Sequence, residues 1–180
     1  MEILRIVVTG TVGAGKTSFI RTISEIEVAD TEHHTNDEPA FLKQDTTVAF
    51  DFGRLTIGPN QVVHLYGTPG QAQFDFTRDT LIDKAHAYIL LVNAHRPQGL
   101  HYSRRILSSI HQRVRIPIVI GLTHVDYPDA WTPDTIALAL GLSNERRRPP
   151  IVCLDATDRE AVSKTLITLI EAMMAVPVSQ

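Results

Sequence analysis

The stretch GTVGAGKTS, from Gly10 to Ser18, determines how the rest of this chain is interpreted. It matches the pattern G-x-x-x-x-G-K-[ST] in full. An apolar run typical of a buried strand precedes it, and an apolar periodicity typical of a helix follows it, which is the context that a phosphate-binding loop requires. The glycines allow the backbone to curl, so that successive N–H groups point at one anion near the positive end of the following helix. The predicted phosphate-binding residues are Gly10, Gly13, Ala14, Gly15, Lys16, Thr17 and Ser18.

Two side chains of this loop carry the expected chemistry. Lys16 should reach the β- and γ-phosphates of a nucleotide, and the hydroxyl of Thr17 should ligate Mg²⁺. The alternative is a glycine-rich turn with a surface lysine, which the position between a strand and a helix disfavours. Kinases, ATPases and GTPases share such a loop, so other segments must identify the nucleotide.

Strand and helix patterns alternate through the rest of the sequence, in the order β-α-β-β-α-β-α-β-α-β-α. The turn Gly58–Pro59–Asn60 joins two predicted strands, Val48–Ile57 and Val62–Tyr66, as a hairpin. Thr132 and Asp158 are predicted to cap helices. We therefore predict an α/β fold of three layers: a mostly parallel six-stranded sheet with one antiparallel edge strand and helices on both faces.

The composition favours a cytoplasmic protein without a nucleic-acid partner or a direct membrane anchor. The net charge is −3 over 180 residues, so no basic excess points to nucleic acid or to an anionic membrane. The apolar runs are too short to span a bilayer, and we find neither a signal peptide nor a lipidation motif. The single cysteine, Cys153, lies in an apolar run and is expected to be a buried structural thiol.

The segments after this loop resemble, in their order, those of the Ras-like small GTPases. The polar loop that ends in KQDTTVAFDFG resembles switch I of that family, where a threonine before the second strand binds Mg²⁺ and the γ-phosphate. We align Thr47 with this metal-binding and catalytic threonine, and Thr46 is the alternative. Two β-prone threonines that merely open a strand would give the same pattern.

The stretch LYGTPGQ, residues 65–71, resembles the D-x-x-G-Q element of the same family. Gly70 matches the glycine whose N–H meets the γ-phosphate, and Gln71 matches the catalytic glutamine that orients the attacking water. Two positions depart from the pattern. Gly67 stands where the family has an aspartate that holds Mg²⁺ through water, and Pro69 replaces the usual alanine.

Two later segments resemble the guanine-binding elements of the family. In GLTHVDYP, Thr123 and Asp126 match the N/T-K-x-D element, and His124 replaces the lysine. A carboxylate can accept from N1–H and the 2-amino group of guanine, which adenine does not offer, so Asp126 favours guanine. In LDATD, Ala156 aligns with the central residue of the S-A-K loop, and Thr157 replaces its lysine.

The resemblance covers nearly the whole chain and implies a single G domain over residues 1–180, the Ras-like form of the P-loop NTPase fold. It implies a GTP/GDP switch with bound Mg²⁺ and slow, partner-stimulated GTP hydrolysis. The TTVAFDFG and GTPGQ variants look most like the bacterial and archaeal MglA-like branch, which implies effector or activating proteins of the roadblock/LC7 type. The element that residues 65–71 resemble belongs to switch II of the family. Arg78, just past it, is the nearest arginine and is expected at the surface.

Two other functions stay open at this point. Because Gly67 removes an acidic group, the chain could be a nucleotide-binding scaffold without turnover. A P-loop ATPase or kinase is the further alternative, and it would require an adenine pocket and an acceptor site.

Overall fold

The structure, a computed structural model, describes residues 2–28, 50–70 and 75–175. Within these ranges strands and helices alternate in the order that the sequence predicts. The strands are β1 (Glu2–Gly10), β2 (Asp51–Thr56), β3 (Gln61–Gly67), β4 (Ala87–Asn93), β5 (Ile118–Thr123) and β6 (Ile151–Cys153). The α-helices are α1 (Lys16–Ile23), α2 (Asp75–Asp83), α3 (Leu100–Arg113), α4 (Pro133–Ala139) and α5 (Arg159–Ala175), and a 3₁₀ turn, Pro97–Gly99, precedes α3.

The strands form one sheet in the order β2-β3-β1-β4-β5-β6. Strand β2 lies at one edge and pairs with β3 in antiparallel register, while every other pairing is parallel. The predicted fold class is therefore confirmed, including the single antiparallel edge strand. Strand β1 lies between β3 and β4, so the chain leaves its carboxyl end where the strand order reverses, the place at which open α/β sheets bind ligands.

Both predicted helix caps are confirmed. Thr132 Oγ1 accepts a hydrogen bond from the backbone N–H of Thr135 at 3.3 Å, and Pro133 opens α4. The carboxylate of Asp158 accepts from the backbone N–H groups of Glu160 and Ala161 at 3.2 and 3.3 Å. These short polar side chains satisfy N–H groups that the first helical turn leaves without a partner, and so they fix where each helix begins.

Helices cover both faces of the sheet. On one face α1 and α5 pack their apolar side chains against β1, β4 and β5, and on the other face α2, α3 and α4 do the same. The middle strands are buried on both faces, which is why β4 reads as an unbroken apolar run. None of the helices in the part of the chain that the structure describes is long and apolar enough to cross a membrane.

Two expectations from the sequence are wrong. Cys153 is exposed rather than buried, because β6 is the last strand of the sheet and has a neighbour on one side only. Arg78 is buried rather than at the surface, with only 5% of its surface exposed. Helix α2 turns its side chain towards Asp75 and Asp79, with which it forms ion pairs.

Candidate nucleotide-binding site

The loop between β1 and α1 has the curled backbone that its glycines predict. Gly10, Gly13 and Gly15 adopt φ angles of 147°, 74° and 97°, in a region that side chains other than glycine rarely enter. Space limits Gly10 as well, since a Cβ there would lie 2.3 Å from the carbonyl oxygen of Leu91 on β4. The loop therefore requires glycine for its conformation and for its close contact with the neighbouring strand.

Side chains at the carboxyl ends of β4 and β5 hold this loop in place. Asn93 Nδ2 donates a hydrogen bond to the carbonyl oxygen of Gly13 at 3.1 Å, and Thr123 Oγ1 donates to that of Ala14 at 2.9 Å. Both carbonyls thereby point into the protein, which leaves the opposite side of the loop for its N–H groups. Thr123 is thus a positioning residue for the loop.

The loop after β6 also contacts the phosphate-binding loop. A Cβ on Gly15 would lie 3.2 Å from the Cβ of Ala156, and Thr22 on α1 donates a hydrogen bond to the carbonyl oxygen of Ala156 at 2.7 Å. A side chain at position 15 would therefore press against Ala156. The predicted S-A-K-like segment thus adjoins the phosphate-binding loop.

Lys16 is buried at the base of the loop, with 9% of its surface exposed. Its ammonium group donates hydrogen bonds to the carbonyl oxygens of Gly10 and Thr11 at 3.0 and 2.7 Å. Burial lowers the pKa of Lys16 from 10.5 to about 8, an effect that the carboxylate of Asp51 partly opposes. The fold therefore holds a cation where it is poorly hydrated, so that an anion placed beside it would be strongly attracted.

Gly70 lies directly against this loop. A Cβ at that position would be 2.6 Å from the backbone nitrogen of Val12 and 2.9 Å from Nζ of Lys16. Only a glycine allows the chain after β3 to approach the loop this closely. Gly70 thus meets Lys16, which is the arrangement expected around a terminal phosphate.

A cavity of about 230 Å³ opens at this point, between the phosphate-binding loop, the start of β2 and the end of β3. Residues of the phosphate-binding loop, of the start of β2 and of the segment after β3 enclose it: Val12, Gly13, Lys16, Thr17, Phe50, Asp51, Gly67, Thr68, Pro69 and Gly70. Segments far apart in the sequence therefore form one small polar space.

Thr17 has a partner that the sequence did not predict. Its hydroxyl donates a hydrogen bond of 2.5 Å to Oδ2 of Asp51, at the start of β2. Asp51 pairs directly with Gly67 across the antiparallel ladder. A carboxylate is thus present beside the predicted metal-binding hydroxyl, although position 67 lacks one.

The predicted base-binding loop follows β5. His124 has a left-handed backbone with φ of 58°, uncommon for a residue other than glycine, and Nδ1 of its ring lies 3.0 Å from Thr123 Oγ1. Asp126 and Tyr127 are exposed, and the rings of Tyr127 and His95 stack with centroids 4.2 Å apart. The loop therefore presents a carboxylate next to aromatic faces, a combination suited to a flat heterocycle.

The loop after β6 is ordered by its own side chains. Oδ1 of Asp155 accepts hydrogen bonds from the hydroxyl and the backbone N–H of Thr157, at 2.6 and 2.8 Å. These bonds lower the pKa of the Asp155 carboxyl group. The side chain of Thr157, which stands where the family has a lysine, is thus held against Asp155 by a turn.

The structure brings most of the predicted site residues to one edge of the sheet. The phosphate-binding loop, Gly70 and Ala156 lie in direct contact, and Ser18 is half-buried in the first turn of α1. Thr47, its alternative Thr46, and Gln71 fall outside the described residues.

Sequence reasoning missed Asn93 and Asp51. Asn93 could have been predicted, since it is a polar residue at the end of an apolar run of strand type. The position of Asp51 could have been predicted too, because counting outward from the hairpin turn at residues 58–60 pairs it with Gly67.

Comparison with known proteins supports the fold independently. No protein-family profile matches the chain. It is 24% identical to an uncharacterized protein of Methanocaldococcus jannaschii over 131 residues, which are 73% of this chain and 76% of that protein. The structure superposes on the Arl6 (BBS3) small GTPase of Trypanosoma brucei, solved with the bound nucleotide analogue GppNp, with a TM-score of 0.73.

That superposition covers 96% of this chain and 98% of the trypanosomal protein at 17% sequence identity. Such low identity with nearly complete coverage reflects a shared backbone arrangement. The elements that surround the cavity therefore belong to a complete α/β architecture, and the chain has the fold of a small GTPase.

Proposed function

We propose that this protein binds GTP and GDP and acts as a molecular switch with slow GTP hydrolysis. The observation that carries the proposal is the meeting of Lys16, Thr17 and Gly70 around one cavity at the phosphate-binding loop. A nucleotide site needs backbone N–H groups, a cation and a metal-binding hydroxyl at one point, and the loop N–H groups, Lys16 and the hydroxyl of Thr17 are the groups that would fill these roles. The bound GppNp of the trypanosomal small GTPase supports the same ligand class.

Each residue has a proposed role. The loop N–H groups and Lys16 hold the phosphates, and Thr17 and Thr47 would hold Mg²⁺, which supplies charge stabilisation when bound. Gly70 would meet the γ-phosphate through its N–H, and Gln71 would position the attacking water. Thr47 and Gln71 lie outside the described residues, so their roles rest on the resemblance alone.

The proposal includes guanine selectivity through the loop after β5. Asp126 would accept from the N1–H and the 2-amino group of guanine, with Thr123 and His124 placing the loop and Ala156 and Thr157 completing the base pocket. The support is the contact between these loops and the phosphate-binding loop through Gly15. Protein effectors or activators, of the roadblock/LC7 type if the MglA-like resemblance holds, and a cytoplasmic location stay predictions from the sequence.

A nucleotide-binding scaffold without turnover is the second candidate. Gly67 favours it, because the position where the Ras-like pattern has an acid offers no side chain. Release of phosphate from GTP under single-turnover conditions separates the two candidates. Release that is abolished by Gln71→Ala supports the switch, whereas bound GTP that stays intact for hours, with and without Mg²⁺, supports the scaffold.

Competition titration of GDP, GTP, ADP and ATP against nucleotide-free protein tests the ligand class. We expect selective binding of the two guanine nucleotides. Asp126→Asn should weaken GDP binding at least about 100-fold, because the charge of the acceptor is lost and the new amide NH2 group faces the 2-amino donor of guanine, although the amide oxygen can still accept from N1–H. The same variant should gain affinity for xanthosine diphosphate, whose carbonyl replaces the 2-amino group and can accept from the new amide.

Asp134→Asn is the matched control for this experiment, since it removes one exposed carboxylate from the start of α4, shortly after this loop. Its GDP affinity should equal that of the wild type. Equal binding of ADP and GDP by the wild-type protein, or transfer of phosphate to a small-molecule acceptor, would contradict the guanine assignment and favour an ATPase or kinase.

A further inference from the structure

The segment that follows β4 is fastened to the phosphate-binding loop. Asn93, the last residue of β4, donates from Nδ2 to the carbonyl oxygen of Gly13 at 3.1 Å. Backbone hydrogen bonds of 3.2 and 3.1 Å run from the N–H of Arg96 to Asn93 and from the N–H of Gly99 to Arg96. A Cβ on Gly99 would lie 3.3 Å from the side chain of Thr11 in the loop. The backbone on both sides of Arg96 is therefore held close to the loop.

Arg96 places a guanidinium group beside this loop. Its Nη1 lies 3.2 Å from the position that a Cβ on Gly13 would occupy, and Gly13 also lines the cavity. The side chain of Arg96 is exposed, and in the part of the chain that the structure describes it forms no hydrogen bond or ion pair. The guanidinium can therefore turn towards an anion in the loop without breaking an existing contact.

Two other basic side chains near the site are already engaged. Arg78 is held by its ion pair with Asp75 on α2. His124 stands where the Ras-like pattern has a lysine, and its Nδ1 lies 3.0 Å from the hydroxyl oxygen of Thr123. The proton of that hydroxyl goes to the carbonyl oxygen of Ala14, so the imidazole donates its own hydrogen bond back to Thr123. Neither side chain is directed at an anion in the loop.

The charge of the expected ligand favours a second cation at this point. The phosphates of a nucleotide carry more negative charge than the single ammonium group of Lys16 can neutralise. A guanidinium group offers several N–H donors in a planar fork that matches the oxygens of a phosphate group. Arg96 reaches the loop from its exposed side, whereas Lys16 is buried at its base. The two cations would therefore contact a bound phosphate from different sides.

We propose that Arg96 binds the phosphate groups of the nucleotide from the exposed side of the loop, as a second cation besides Lys16. The inference rests on the proposed function, because it concerns the same bound nucleotide. It assigns nucleotide affinity to a residue outside every segment in which the sequence resembles the Ras-like pattern.

The test is a competition experiment on nucleotide-free protein, with a fluorescent GDP analogue as reporter and with GDP and inorganic pyrophosphate as competitors. In Arg96→Gln the dissociation constant for GDP should rise roughly 10- to 100-fold, the effect of losing one charged hydrogen-bonded contact. Pyrophosphate, which has neither base nor ribose, should lose affinity by a similar factor. Both losses should shrink between roughly 0.1 and 1 M KCl, because salt screens the charge of an exposed group.

Two further variants make the test specific. Arg96→Lys keeps the charge but not the planar fork, so its dissociation constants should lie between those of the wild type and Arg96→Gln. Arg147→Gln removes an exposed guanidinium group from the segment between α4 and β6 and should leave both constants unchanged. Because the side chain of Arg96 is exposed, both variants at this position should unfold at the wild-type temperature when no nucleotide is present.

The outcomes distinguish the inference from the function on which it rests. If the wild-type protein does not bind guanine nucleotides, the proposed function fails and the inference with it. If it binds GDP and Arg96→Gln has unchanged constants, the inference alone is overturned. A loss for GDP without a loss for pyrophosphate overturns it too, since Arg96 would then contact the base or the ribose. A loss that salt does not reduce, together with a lower unfolding temperature, would assign Arg96 to the fold instead and would also overturn it.

Discussion

Lys16 carries an energetic cost in the nucleotide-free protein that bound phosphate would remove. Its pKa of about 8 lies below the value near 10.4 of an unfolded chain, so the folded state gives up the proton first as the pH rises. Between these two values the unfolded state binds more protons, and the stability contributed by this residue therefore increases with pH. Below pH 8 both states are charged and the full cost is present.

We expect the free energy of unfolding of the nucleotide-free protein to rise between pH 7.5 and 9.5 relative to that of Lys16→Met. The difference should change by on the order of 2 kcal/mol, from a pKa that differs by about 2.5 between the two states. Urea unfolding of both proteins at several pH values measures it. Lys164→Met, which removes an exposed lysine, should show a flat difference over the same range.

A flat difference for Lys16→Met as well would contradict the burial of this ammonium group. The comparison stays below pH 10 because burial raises the pKa of Tyr66 and Tyr88, and the unfolded chain would ionise its tyrosines near that pH. Subtracting the variant curve removes every other titration that the two proteins share.

At the scale of elements, α2 is attached to α3 by a small polar network. Tyr102 on α3 donates a hydrogen bond of 2.6 Å to Oδ1 of Asp75, the first residue of α2. Arg78 donates to the same oxygen at 2.9 Å from one turn further along α2. Burial and the contact with Asp75 raise the pKa of Tyr102 to about 12, so the hydroxyl stays protonated and remains a donor.

This network lies directly after the predicted switch II segment. Any nucleotide-dependent movement at the start of α2 would have to break or rearrange these bonds. Tyr102→Phe removes one donor while the ion pair between Arg78 and Asp75 remains. We expect the free energy of unfolding to fall by about 1 kcal/mol. Relative to the wild type, hydrogen exchange should become faster in α2 by more than it does in α5.

Hydrogen-exchange mass spectrometry and urea unfolding measure these two effects. Tyr127→Phe removes a hydroxyl from an exposed ring and should change neither quantity. Exchange in α2 that is unaltered by Tyr102→Phe would mean that the hydrogen bond from Tyr102 to Asp75 has no part in anchoring this helix.

The sequence predicts elements well where the signal is local, and poorly where it depends on pairing across the sheet. The caps Thr132 and Asp158 act within one helical turn, so their side chains could be assigned from neighbouring residues alone. Asp51 acts through a strand register, and its partner Gly67 is sixteen positions away. The prediction that Cys153 is buried was wrong for the same reason, since no residue near it in the sequence indicates that β6 lies at the edge of the sheet.

At the scale of the whole molecule, the candidate site joins strands that lie on either side of β1 in the sheet. The carboxyl ends of β1, β3, β4 and β5 all contribute residues that contact the phosphate-binding loop or its cavity. A ligand bound there would contact segments that separate on unfolding. Nucleotide binding should therefore stabilise the entire fold rather than one loop.

We expect GDP with Mg²⁺ to raise the midpoint of thermal unfolding of the nucleotide-free protein. A ligand at 100 times its dissociation constant adds about 2.7 kcal/mol, which in a domain of this size shifts the midpoint by roughly 5–10 °C. Differential scanning calorimetry measures the shift, with ADP at the same concentration and Mg²⁺ alone as controls that should give none. Equal shifts with GDP and ADP would show a phosphate site without base selectivity. The absence of a shift with either nucleotide would mean that the curled loop does not bind nucleotide and has only a structural role.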